Sequence, residues 1–163
     1  LVKLKYSKDP FSSIGSEKYG GRWNSAGKKM VYAAESITLG MLEVMVHVQS
    51  QTLLMNQYQL FSISIPDTLI LDAGAANLPA GWNDRPASTV SAQFGDDWLD
   101  SQSSVGLLVP SVVAPLSFNI LLNAEHSQWN QILTSVTKID FEFDSPRSNT
   151  ESDRVLTSCL LRY

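Results

Sequence analysis

With 163 residues, 44% of them hydrophobic, the chain has the size of a single domain and is long enough to bury most of its apolar surface without cross-links. Its 12 basic residues against 16 acidic ones leave a net charge of -4, which gives no general attraction for a phosphate backbone and argues against direct nucleic-acid binding. The one cysteine, Cys159, cannot form an internal disulfide, no spaced Cys and His set suggests a metal site, and no apolar run is long enough to span a bilayer; the expected setting is cytoplasmic, with no membrane contact.

The chain opens on mixed Lys, Leu and Tyr rather than a signal-like apolar core. Residues 15–27 are dense in glycine, serine and charge, and Gly20-Gly21 ahead of Arg22 predicts a turn whose backbone can approach a ligand closely. Met30-Val31-Tyr32-Ala33 reads as a short strand. Ser36 then stands at an N-cap position before residues 37–48, a proline-free run of about three helical turns. Its apolar positions cover nearly the whole circumference, so the pattern predicts a buried helix. Ser36, Gly40, Glu43 and His47 are the exceptions, and their spacing stacks them on one stripe. An ionisable stripe on such a helix calls for a reason, because an unpaired charge in a core costs several kcal/mol or is neutralised.

Residues 58–65 alternate as a strand ended by Pro66, and Leu69-Ile70-Leu71 suggests another. From 74 to 86 the chain is loop-like. Residues 88–99 fit a helix whose extent Gly95 leaves open. Residues 107–113 form a strand-like run interrupted by Pro110, which implies an edge strand, a bulge or a place where the ladder opens. Phe118 to Leu122 is a short apolar segment and residues 136–143 alternate as a closing strand. Strands and helices without a βαβ rhythm predict a single α+β domain with a mixed β-sheet, and no glycine fingerprint for a dinucleotide is present.

Glu43 is the first candidate for chemistry. A carboxylate on an apolar helix is either the partner of His47 or a distant arginine, or a group aimed at developing positive charge. Arg22, in its glycine turn, is either a surface arginine or a fork of donors for a phosphate. Tyr32 can stack on an aromatic ring or simply pack. His47, one turn beyond Glu43, can hold that carboxylate or a substrate hydroxyl, or be a core histidine with a backbone partner. Ser111 and Asn119 can each donate to an amide or phosphate. A serine-hydrolase reading fails for want of a nucleophile elbow. A two-carboxylate glycosidase stays open, with Asp96 or Asp97 as the second acid.

Gly20-Gly21-Arg22-Trp23-Asn24-Ser25-Ala26-Gly27, Val31-Tyr32-Ala33-Ala34-Glu35-Ser36 and Leu42-Glu43-Val44-Met45-Val46-His47 together resemble the core signature of the RES domain. Gly95-Asp96-Asp97-Trp98, Val109-Pro110-Ser111-Val112-Val113 and Asn119-Ile120-Leu121-Leu122-Asn123 continue the likeness in order, to Phe141-Glu142-Phe143-Asp144. The resemblance covers residues 1–147 and leaves 148–163 as an extension. It implies a fold like that of ADP-ribosyltransferases and the role of toxin in a toxin-antitoxin pair, beside an antitoxin with a helix-turn-helix DNA-binding domain. It implies NAD⁺ as substrate with no metal, consumed by hydrolysis or phosphorolysis or used to modify a protein. The arginine, glutamate and serine of the family's name fall on Arg22, Glu43 and Ser111. Tyr32 falls on the nicotinamide-facing aromatic and Asn119 on a further pocket position. On this reading Glu43 is catalytic, Arg22 binds the diphosphate, and Tyr32 and Ser111 orient the nicotinamide end. The alternatives in other classes are a nucleotide-binding module without turnover and a ribonuclease toxin, the latter disfavoured by the acidic balance.

Overall fold

In the computed structural model, residues 1–46, 57–74 and 77–140 are described. In chain order the elements are β1 (Val2–Lys3), α1 (Ile14–Tyr19), β2 (Met30–Ala34), α2 (Ile37–Met45), β3 (Tyr58–Ser62), β4 (Ile70–Asp72), α3 (Thr89–Ser101), β5 (Gly106–Pro110), β6 (Phe118–Asn123), α4 (Trp129–Leu133) and β7 (Thr137–Ile139). They form two sheets. The larger runs β2-β6-β5-β4, antiparallel except for the parallel β5-β4 pair; the smaller is antiparallel, β1-β3-β7. This is the α+β, mixed-sheet arrangement that the element pattern predicts.

Side chains alternate across a strand, so register decides which residues share a face. Tyr32, Leu121 and Leu107 lie opposite one another across β2, β6 and β5, and two residues along, Ala34, Asn119 and Val109 do the same. That face is packed by Trp98 and Leu99 of α3 and by Trp23. On the opposite face Val31 and Leu122 pack with Val105, with Trp129 and Ile132 of α4, and against Ile63, Ile65 and Leu69. The sheet is therefore buried on both sides, and polar groups on its first face stand out as exceptions.

The Ser36 side chain caps α2 by accepting from the Leu39 N–H at 3.2 Å, as the sequence predicts. The expected burial of this helix is corrected: only Leu39 is buried, while Ile37 and Leu42 are 42% and 37% exposed. Apolar periodicity marks a surface that avoids charge, but not what covers it; Leu42 and Val46 border a cleft rather than the core. His47 lies outside the described residues. β3 ends at Ser62, short of Pro66, because the Ser135 side chain replaces the ladder: its hydroxyl accepts from the Ser64 N–H and donates to the Ser64 carbonyl, both at 3.0 Å. α3 runs unbroken through Gly95. β5 is internal, flanked by β6 and β4, so the edge-strand option for Pro110 is excluded; Pro110 is the strand's last residue, where the ladder opens. The short α1, α4 and β1 have no clear sequence signal, since 2 to 6 residues hold too little of any period to be read. The closing strand is described over Thr137–Ile139, and residues 141–163 lie outside the description.

Candidate active site

The turn after α1 is built around Asn24, which is 1% exposed. Its amide donates to the carbonyls of Ser16, Ser25 and Lys28 at 3.0, 3.0 and 3.2 Å, and its Oδ1 accepts the Tyr32 hydroxyl at 2.7 Å. The same phenol oxygen accepts the Trp23 N–H at 3.0 Å. A Cβ at Gly21 would stand 2.5 Å from that oxygen, so glycine is what lets the turn close over Tyr32. Trp23, buried, stacks on Trp82 at 5.8 Å between ring centres and meets the edge of Phe94 at 6.1 Å. Ser25 donates its N–H to the buried Asp96 of α3 at 3.0 Å. Turn, strand and helix thus form one bonded unit.

Arg22 projects from this unit. Its Nη1 donates to the carbonyls of Trp82 at 2.9 Å and Asp84 at 3.0 Å, which fixes the guanidinium against the loop before α3. Tyr32 is 42% exposed as a residue, although its hydroxyl is bonded to Trp23 and Asn24. Burial of that hydroxyl, aided by the charge of Asp96 and opposed by the Trp23 N–H and Arg22, pushes the phenol up from 10.0 to about 12. Tyr32 therefore stays neutral at physiological pH, with its ring presented to solvent.

Glu43 reaches from α2 over the first sheet face. Its Oε1 accepts the Ser111 hydroxyl at 2.8 Å and the Asn119 amide at 2.7 Å. Ser111 follows Pro110 where the ladder opens, and its Oγ also accepts the N–H groups of Val113 and Ala114, each at 3.0 Å. Its single proton and both lone pairs are thereby engaged. Both bonds to Glu43 fall on Oε1; among the described residues, no hydrogen bond falls on Oε2. One oxygen is held, and the other has no partner among the described residues.

These groups border a cleft of about 720 Å³, whose walls include Arg22, Tyr32, Glu43, Arg85 and Asn119. Ser111, 7% exposed, is not in the wall and stands behind Glu43. Arg85 is the residue that sequence reasoning missed. It falls in a loop before a proline, with no local pattern to single it out, and its Nη2 donates to the Val112 carbonyl at 2.7 Å. Asp96 is spent on the Ser25 N–H and Asp97 accepts from Gln93 at 2.8 Å; neither borders the cleft, so Glu43 is the one carboxylate in its described wall. That removes the second acid required by the two-carboxylate glycosidase reading. A second cavity of about 740 Å³ shares Tyr32, Glu43 and Asn119, but its other walls are largely apolar, and its charged side chains besides Glu43 are Lys3 and Glu35. The cleft with both arginines suits an anionic ligand better.

The RES domain model matches this chain over residues 1–144, a span that includes Arg22, Glu43 and Ser111. The chain belongs to the RES domain family. Similar proteins include a "Toxin Res" of Yersinia enterocolitica, 39% identical over 144 residues, spanning 88% of this chain and 94% of that protein. A "Prs ADP-ribosylating toxin" of Sphingobium sp. is 44% identical over 124 residues, spanning 74% of this chain and 76% of that protein. The fold resembles that of a chain in the crystal structure of the M. tuberculosis MbcT-MbcA toxin-antitoxin complex, with a TM-score of 0.61 and 20% identity, covering 81% of this chain and 75% of that one. In this RES domain, Arg22, Glu43 and Ser111 come from a turn, a helix and the end of a strand, and the fold brings them to one side of the larger sheet.

Proposed function

We propose that this RES domain is the toxin of a toxin-antitoxin pair and cleaves the nicotinamide-ribose bond of NAD⁺. The observation that carries the reading is Glu43: a carboxylate with one oxygen fixed by Ser111 and Asn119 and the other without a partner among the described residues, in a cleft that also holds two arginines and an aromatic ring. Breaking that bond builds positive charge on the ribose C1′ and ring oxygen. A carboxylate already oriented there stabilises the transition state more than the ground state, with no reorganisation during the reaction. Nicotinamide is a good leaving group and needs no acid to protonate it, so a single carboxylate is enough.

Arg22 holds the diphosphate and the exposed ring of Tyr32 faces the nicotinamide. Asn119 and Ser111 set the angle of the carboxylate, and Ser111 acts through Glu43 rather than on the substrate. No metal enters this scheme. The names of the Yersinia and Sphingobium relatives support the toxin role, and the likeness to a chain of a toxin-antitoxin complex supports an antitoxin partner. By the family resemblance that partner carries a helix-turn-helix domain, and the pair acts in the cytoplasm. The Sphingobium name favours a second outcome of the same bond cleavage, transfer of ADP-ribose to a protein instead of to water or phosphate.

Nicotinamide release from NAD⁺, with products identified by mass spectrometry with and without phosphate, tests the reading. Glu43→Gln is expected to slow release by about 100-fold or more, the scale of losing one preorganised electrostatic group. Ser111→Ala is expected to cost about tenfold, as for losing one hydrogen bond to a charged group. ADP-ribose, ADP-ribose 1″-phosphate or a modified protein identifies the acceptor. Undiminished release by Glu43→Gln removes Glu43 from the chemistry, and NAD⁺ that persists with folded wild-type protein leaves a binding module.

A further inference from the structure

Arg85 has no part in the scheme above, yet it borders the same cleft as Arg22 and Glu43. Both guanidinium groups are fixed in the same manner. Arg22 is held through Nη1 on the carbonyls of Trp82 and Asp84, and Arg85 through Nη2 on the carbonyl of Val112. Neither forms an ion pair among the described residues, whose salt bridges are Lys28 to Asp100, Lys29 to Glu125 and Lys138 to Asp140. The Glu43 carboxylate in the same wall is bonded through one oxygen to Ser111 and Asn119, not to either arginine. An arginine placed by carbonyls keeps its full charge and most of its five donors for something else.

The local charge balance runs against that of the chain. Two arginines and one glutamate are the charged residues among the described residues of this wall, within a protein of net charge -4. The Asp84 carbonyl that fixes Arg22 belongs to the residue just before Arg85, so the loop that carries one arginine also holds the other. Two fixed forks at one cleft match an anion with more than one phosphate, since each planar guanidinium can bond a phosphate through two parallel N–H donors.

We infer that Arg85 is a second phosphate-holding residue, which with Arg22 grips the diphosphate of the dinucleotide from the loop side. The inference rests on the reading of the cleft as an NAD⁺ site, and it adds the residue that selects for a diphosphate. Its attachment to Val112, next to Ser111, also ties diphosphate capture to the loop that orients Glu43.

The test is binding of ADP-ribose to the full chain by calorimetry at two NaCl concentrations, with wild type, Arg85→Gln and Arg85→Met. Arg85→Gln and Arg85→Met both remove the charge and the bond to Val112, one with a polar and one with an apolar side chain, and the salt dependence separates lost electrostatics from lost loop support. Both variants are expected to bind ADP-ribose at least about tenfold more weakly and with a shallower salt dependence, because the lost charge is what salt screens. In nicotinamide release, KM for NAD⁺ should rise more than kcat falls. Unchanged affinity, or weaker binding with an unchanged salt dependence, overturns the inference and leaves the cleavage reading intact. Wild type that binds ADP-ribose but releases no nicotinamide, with binding lost in both variants, upholds the inference and sinks the cleavage reading. Wild type that does not bind ADP-ribose overturns the inference.

Discussion

Tyr32 shows how one residue serves both packing and site. Its hydroxyl satisfies the Trp23 N–H and the Asn24 carbonyl oxygen of the side chain, and its ring is left facing the cleft. The sequence leaves stacking and packing as alternatives; the structure commits the hydroxyl to the Arg22 turn and leaves the ring in the cleft wall. Its raised pKa makes a testable statement about stability. The folded state retains the phenol proton to about pH 12, whereas the unfolded chain gives it up near the ordinary value of 10.0. The stabilisation is therefore fully present below pH 10 and is lost as pH rises toward 12. The urea midpoint of wild type should fall more steeply through this window than that of Tyr32→Phe. At neutral pH the Phe variant should be less stable by about 1–3 kcal/mol, because two buried partners lose their bond. Parallel alkaline profiles for the two proteins would remove Tyr32 as the source.

Among the elements, α3 meets the Arg22 turn more closely than any side chain would allow. A Cβ on Gly95 would lie 1.9 Å from the Trp23 carbonyl oxygen, a backbone atom that cannot rotate away. Gly95→Ala would otherwise gain about 1 kcal/mol from helix propensity. Overpacking typically costs about 1–3 kcal/mol or more, so the clash should decide the sign. The variant is expected to melt lower than wild type and to lose NAD⁺ affinity, since Trp23 carries Arg22 beside it; a higher melting temperature would refute the contact. This glycine also illustrates what a sequence can convey. As a position within a helix it only blurs the expected boundary, and its purpose lies in a partner 72 residues away. The cap and run of α2 were readable because they are local, and Pro110 marked the end of β5. Arg85 was not readable, because its role depends on which loop faces which turn. Nor was the placement of Ser111 behind the carboxylate, which depends on a bond to Glu43 made 68 residues away across the fold.

Across the whole molecule, the cleft draws its walls from segments spread over most of the described chain: the turn at Arg22, β2, α2, the loop at Arg85, and the strand ends at Pro110 and Asn119. No single element owns it. A ligand that bridges them should act as a non-covalent tie between parts that separate on unfolding, and so stabilise the domain as a whole rather than one loop. At a concentration about 100 times its Kd, such a ligand adds about 2.7 kcal/mol. For a domain of this size each kcal/mol raises Tm by about 2–4 °C, so ADP-ribose should raise it by roughly 5–10 °C. ADP-ribose is the right probe because NAD⁺ would be consumed during the scan, and nicotinamide alone, which spans neither arginine, should produce a much smaller shift. Thermal scans of wild type with each ligand check this directly. Equal shifts from the two would mean that the diphosphate contributes nothing, and that the arginines at the cleft serve only the loops they touch.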